Sequence, residues 1–245
     1  MKWKVPLDNT FSFSQKDNRY NFQGQATQPT SFLIGESARL DFIFQPQTDE
    51  QEYYIKFYLQ KMSYLKIMLI NSVAQSQKIT LEINLQGEHA QAHIKGMYIV
   101  SGQQSFALNT IQHHWAPRTE SYLTINGIIN DSGKAFYDGL IQINQNAHHS
   151  IAKQQNKNIL LSVHARAESK PNLQVLTNDV HCTHGSAIGQ LDSNHLFYMQ
   201  SRGVEKQRAE QLLLQGFLSH IVDDFPEDMI HSIEQRLFHY KKVMP

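Results

Sequence analysis

The stretch Ile79-Thr80-Leu81-Glu82-Ile83-Asn84-Leu85 alternates apolar and polar residues without a break. An extended chain turns successive side chains to opposite faces, so Ile79, Leu81, Ile83 and Leu85 share one face and Thr80, Glu82 and Asn84 the other. A helix of period 3.6 would scatter the same residues around its circumference. The stretch therefore reads as a β-strand with one buried face.

Similar runs lie on either side: Leu40 to Phe44, Tyr53 to Leu59, Leu65 to Ile70 and His93 to Val100, then Phe106 to Ile111, Tyr122 to Ile129, Ala135 to Ile143, Ile159 to Val163 and Leu173 to Leu176. Each is strand-length and rich in β-branched or aromatic residues, and Gly, Asn, Gln and Ser separate them. Many strands with no helix between them mean an all-β body: a sandwich, a barrel or a β-solenoid. The only Asn-Gly pair, Asn126-Gly127, lies inside an apolar run and not at a hairpin, which favours the solenoid. No fixed repeat period is visible.

The domain plan that follows has three parts. Residues 1–37 are polar and broken by Gly24, Pro29 and Gly35, an irregular segment or short edge strands; residues 38–202 form the β-body; residues 203–245 are helical. From Val204 to Val222 the residues Ala209, Leu212, Leu213, Phe217 and Ile221 keep helical spacing, and Pro226 opens a second amphipathic helix through about Lys241. Such helices either cover the β-body or dock a partner.

Composition narrows the function. Lys plus Arg equals Asp plus Glu at 22 each, so no basic field exists for nucleic acid. Charged residues are only 18%, and Gln, Asn and His fill the deficit, which explains a mean hydropathy of -0.46. No apolar run approaches the ~18 residues of a membrane span, and Met1 to Asp8 carries no apolar signal core, so a cytoplasmic protein is expected. The single cysteine, Cys182, excludes an internal disulfide framework and suits a reducing compartment.

The densest chemistry is Asn178-Asp179-Val180-His181-Cys182-Thr183-His184-Gly185. On a strand Cys182 and His184 project together, and a thiolate beside an imidazole suits zinc or iron. Two ligands are too few for a structural zinc or a cluster, so a second chain or a transient cargo would complete the site. The plainer alternative for Cys182, a small buried hydrophobe, stays open. The doublets His113-His114 and His148-His149 point to opposite faces and read mostly as solvated or corner residues. No carboxylate cluster suits a carbohydrate-active β-helix, and no Gly-rich phosphate motif is present.

Several blocks together resemble the SufB/SufD family of iron–sulfur cluster assembly proteins: Gly87-Glu88-His89-Ala90, His114-Trp115-Ala116-Pro117-Arg118-Thr119-Glu120-Ser121, Ala135 to Ile143, Gln154 to Ser162, Asn178 to Gly185 and Leu196 to Val204. The resemblance implies a right-handed parallel β-helix followed by a helical C-terminal region. It implies a non-enzymatic scaffold that handles a transient iron–sulfur cluster at a subunit interface, with His184 and Cys182 as the metal-site candidates. Its partners would be a SufC-type ABC ATPase docked on the terminal helices, around Leu213, Gly216, Phe217 and His220, and a SufB-type paralogue or a second copy of the chain. Ala165 stands where SufB-type chains carry a functional cysteine, and Gly185 where they carry Glu, so the likeness is to the SufD branch. The N-terminal helical domain common in the family has no counterpart here, which marks a short form. The rival readings are a stand-alone metal-binding protein and a carbohydrate-active β-helix enzyme.

Overall fold

The alternation at Ile79 to Leu85 recurs in strand after strand of the computed structural model, which describes residues 10–14, 18–22, 30–46, 52–71, 76–223 and 225. Among these residues the strands are β1 (Thr10–Phe13), β2 (Asn18–Phe22), β3 (Thr30–Ile34), β4 (Arg39–Phe44), β5 (Glu52–Leu59), β6 (Tyr64–Asn71) and β7 (Gln77–Leu85). They continue as β8 (Gln91–Val100), β9 (Ser105–His114), β10 (Glu120–Ile129), β11 (Lys134–Ile143), β12 (Ser150–Leu160), β13 (Arg166–Val175) and β14 (Val180–Gly189), before helices α1 (Ser193–Ser201) and α2 (Lys206–Val222). Odd-numbered strands form one seven-stranded sheet and even-numbered strands a second. Every pairing is parallel. Consecutive strands thus lie in opposite sheets, and the chain winds as a β-solenoid, as its strand pattern favoured.

The inner faces meet in a core that is aromatic and aliphatic in the early coils. Phe32 stacks on Phe57 at 5.3 Å between ring centroids, and Phe42 meets both edge-on at 4.9 and 5.0 Å. Burying one such ring stabilises the fold by about 1.5–3 kcal/mol. A second apolar layer explains the runs that are apolar on both faces. Met68, Ile70, Met97, Ile99 and Ile128 point outward from the even-numbered sheet and are covered by Leu214, Leu218 and Ile221 of α2, with Phe225. The buried stripe of α2 is Ala209, Leu214, Leu218 and Ile221, leaving Leu212, Leu213 and Phe217 half-buried. The triplet Leu212-Leu213-Leu214 leaves the phase of the stripe ambiguous in sequence, and packing against the sheet selects Leu214.

One corner of the solenoid repeats from coil to coil. Ser37, Met62, His89, Arg118 and His149 all adopt left-handed backbone, with φ between 55° and 60°. Each donates its N–H to a corner carbonyl of the next coil: Ser37 to Lys61, Met62 to Glu88, His89 to Pro117, Arg118 to His148 and His149 to Asp179, at 2.6 to 3.4 Å. This ladder offsets the steric strain of φ > 0. The small residues Ala38, Ser63, Ala90, Thr119 and Ser150 follow in turn and are all buried. Subtracting successive corner positions gives spacings of 25, 27, 29 and 31 residues, so the coils lengthen and no fixed period exists to be found.

Two features differ in extent from the sequence expectation. The parallel ladder reaches upstream of residue 38, since β1 pairs with β3 and β3 with β5. Residues 193–201, within the span assigned to the β-body, form α1. The helix expected from Pro226 to Lys241 lies outside the described residues.

Candidate functional site

From β9 onward buried polar side chains join the apolar ones of the interior. His114 is fully buried, its Nδ1 2.7 Å from the Thr119 hydroxyl and its Nε2 2.8 Å from the Ser121 hydroxyl. Gln112 donates to Ser121 at 2.7 Å, and Thr119 meets Ser150 at 2.8 Å. Burial holds the His114 imidazole neutral by pushing its pKa down to about 3. Tyr98 hydrogen-bonds Asn158, Asn158 donates to Asn156 at 2.7 Å, and Tyr137 pairs with Thr110 at 2.9 Å. The doublet His113-His114 is therefore neither solvated nor at a corner, because strand alternation sends His114 into the core and His113 to the half-buried outer face. His148 and His149 do sit at an exposed corner, where His149 Nδ1 lies 2.9 Å from Asp179.

The next corner in this column, at Asp179, delivers the chain into β14, the last strand of its sheet, and β13 is the last strand of the other. Among the described residues nothing pairs with their outer edges. The inner-facing residues of this final coil are uncovered: Leu173, Val175 and Ile188 are 40%, 38% and 43% exposed, and Leu176 beyond β13 is 52% exposed. An unpaired edge with exposed apolar residues is a ready template for another chain.

Cys182 and His184 project from the same face of β14, above Ala152 and Gln154 of β12. Their surroundings differ. Cys182 is half-buried against Ile141, Ile143, Ala147 and Ala152, and burial pushes its thiol pKa up, against a smaller opposing effect of a hydrogen bond with the Ala152 backbone. His184 is exposed. The imidazole is thus the available donor, and the thiol behaves in this environment as a small hydrophobe until something ionises it. Among the described residues no three His, Cys, Asp or Glu side chains gather to hold a metal ion. A thiol and an imidazole are donor types that iron and zinc accept, but two fall short of a full ligand set. At Gly185 an added Cβ would meet nothing within 4 Å, so space does not exclude a side chain there.

The helices offer a second surface. Asp192 caps α1 by accepting from the Asn194 N–H at 2.8 Å. Gly203, at φ +85°, closes it: its N–H donates to Gln200 and that of Val204 to Met199, the paired bonds of a Schellman motif that glycine alone accommodates without strain. No residue of α1 is buried, and Phe197 and Tyr198 are 73% and 58% exposed. The cap, the closing glycine and these aromatics are readable in sequence but were not singled out as a helix or as a surface. Of the residues named from sequence, Gly216 and His220 are exposed, while Leu213 and Phe217 are half-buried. Asn126 donates to the Phe217 carbonyl at 2.8 Å and Lys95 to that of His220 at 3.0 Å, so α2 is tied to the sheet along this side. No helix among the described residues is long and apolar enough to cross a membrane.

Similarity to known proteins agrees with this architecture. The chain is 30% identical over 154 residues to the iron–sulfur cluster assembly protein SufD of Bacillus subtilis, a match covering 63% of this chain and 35% of that protein. It is 33% identical over 115 residues to the SufD of Escherichia coli, covering 45% of this chain and 27% of the relative. An iron–sulfur cluster assembly SufBD family protein of Synechocystis is 27% identical over 211 residues, covering 85% and 46% respectively. The matches thus span less than half of each relative's length. Residues 11–217 match the family described as "SUF system FeS cluster assembly, SufBD core domain", and the chain belongs to that family.

Proposed function

We propose that this chain is a SufD-type, non-enzymatic scaffold subunit of iron–sulfur cluster assembly. The end of the solenoid formed by β13 and β14 would meet a SufB-type paralogue or a second copy of the chain. There His184, with Cys182 behind it, would contribute ligands to a cluster that is cargo in transit. The observation that carries this reading is the exposed imidazole of His184 on a terminal strand whose outer edge pairs with none of the described residues, in a site with too few donors of its own. A partner strand added to β14 would bring both the missing hydrogen bonds and the missing ligands. The setting is a reducing cytoplasm, where a lone thiol persists.

A SufC-type ATPase would dock on α1 and the exposed side of α2. The aromatic residues Phe197 and Tyr198 support this surface, since each is large, exposed and carried on a helix without a buried residue. Tagged protein purified anaerobically from its host should bring down an ABC-type ATPase together with a SufB-type chain or untagged copies of itself. Phe197→Asp should lose the ATPase and keep the other partner. Recovery of the chain with none of these partners would overturn the proposal.

A further inference from the structure

Gln154 is 2% exposed, yet neither its side-chain oxygen nor its nitrogen has a hydrogen-bond partner among the described residues. A buried amide left wholly unpaired is destabilising, and in a native protein it calls for a reason. Its packing is specific: a Cβ at Gly139 on the facing sheet would lie 2.3 Å from Gln154 Nε2, so the absence of a side chain at Gly139 makes room for the amide. The neighbouring polar groups are already engaged, Tyr137 with Thr110 and Asn156 with Asn158 and the Ile125 carbonyl. Other buried side chains, Ser169 Oγ among them, have one atom without a partner, but among the described residues only the Gln154 amide lacks partners at both its oxygen and its nitrogen.

Its direct partner in the parallel register is His184, on the same inward face one strand further out. Paired residues of adjacent parallel strands lie about 4.8 Å apart, within reach of a glutamine that rotates about its three side-chain bonds. A histidine that binds a metal through one ring nitrogen almost always donates its other N–H to an acceptor, which fixes tautomer and ring direction. Cys182 and Ser186, the flanking residues on that face of β14, cannot supply a carboxylate or amide oxygen.

Resting on the scaffold role proposed above, we infer that Gln154 is the positioning residue of His184: its Oε1 accepts the ring N–H when the opposite nitrogen takes a metal. The unpaired amide is the metal-free state of that pair. Gln154 touches no metal itself and acts only through the imidazole.

Cobalt(II) added to the full chain tests this, since a cobalt-bound histidine shows a paramagnetically shifted ring N–H proton when that proton is held against exchange. The wild type should show one such signal that His184→Ala removes. Gln154→Met should abolish the protected signal, weaken the His184-dependent cobalt affinity about 10- to 100-fold, and melt at the same temperature or higher. Gln154→Glu, which keeps an acceptor oxygen, should restore the signal. A Gln154→Met protein that fails to fold or melts lower assigns Gln154 to holding the coil and overturns the inference, as does unchanged affinity or a failure of Gln154→Glu to rescue. Loss of the inference alone leaves cobalt binding dependent on His184; cobalt binding that ignores His184 removes the scaffold site as well.

Discussion

The early coils, β3 to β8, and the late coils, β9 to β14, follow one winding rule with interiors of different make-up. In the first, Phe32, Phe42, Phe57 and a shell of Ile and Leu fill the space between the sheets. In the second, Gln112, His114, Ser121, Gln154, Asn156 and Asn158 share the inward positions with Leu108, Leu123, Ile125 and Ile141. Hydrophobic burial is non-directional and forgiving in detail, whereas a buried polar side chain stabilises only in one arrangement. The difference shows that the solenoid's stability and its candidate chemistry are separated along its axis. The early coils hold the fold, and the late coils trade apolar burial for polar order that ends at the exposed face of β14.

The largest test of that division removes a ring from the early core. Phe57→Ala should destabilise by about 3–5 kcal/mol, since Phe57 is fully buried between two other rings. The matching change in the last coil, Ile188→Ala, should stay within about 0.5 kcal/mol by denaturant titration, because Ile188 is 43% exposed. Equal losses would break the comparison.

Acid separates the halves next. His114 is held neutral with a pKa lowered to about 3, while in the unfolded chain it takes a proton near 6.5. The unfolded state therefore binds more protons as pH falls below 6.5, and stability is lost from there down toward pH 3, at up to about 1.4 kcal/mol per pH unit. His113 and His220, whose pKa values burial also lowers, add to the same slope in the same direction. Urea unfolding between pH 7 and 5 should show this loss before the carboxylates titrate. A flat profile would mean that His114 is not buried in the folded protein.

The smallest effect on folding concerns the open edge. Ile188→Asp should leave the melting temperature nearly unchanged and should abolish association through β14, read as the mass of the complex in solution. Unchanged association would move the interface away from this end.

Much of this was legible in sequence, and the failures have physical causes. Period two at Ile79 to Leu85 reveals a strand, and the same rule puts Cys182 and His184 on one face. The first part of β12 was missed because its inward residues are Gln154, Asn156 and Asn158, which carry no hydrophobic alternation. The repeat was hidden because coil spacing grows from 25 to 31 residues and its corner marker is a backbone conformation shared by Ser, Met, His and Arg. Depth was not legible at all. Alternation assigns His114 a face without showing that the face is sealed, and it pairs Cys182 with His184 without showing that one is half-buried and the other exposed.

The central claim, that the exposed end of the late coils takes part in cluster assembly through His184, is tested most directly by cluster formation in the assembled complex under anaerobic conditions. His184→Ala removes one exposed imidazole and no packing, so the variant should fold, assemble and melt like the wild type while its yield of iron–sulfur cluster, read from visible absorbance and iron content, falls several-fold. A wild-type yield of cluster from a correctly assembled His184→Ala complex would contradict the account.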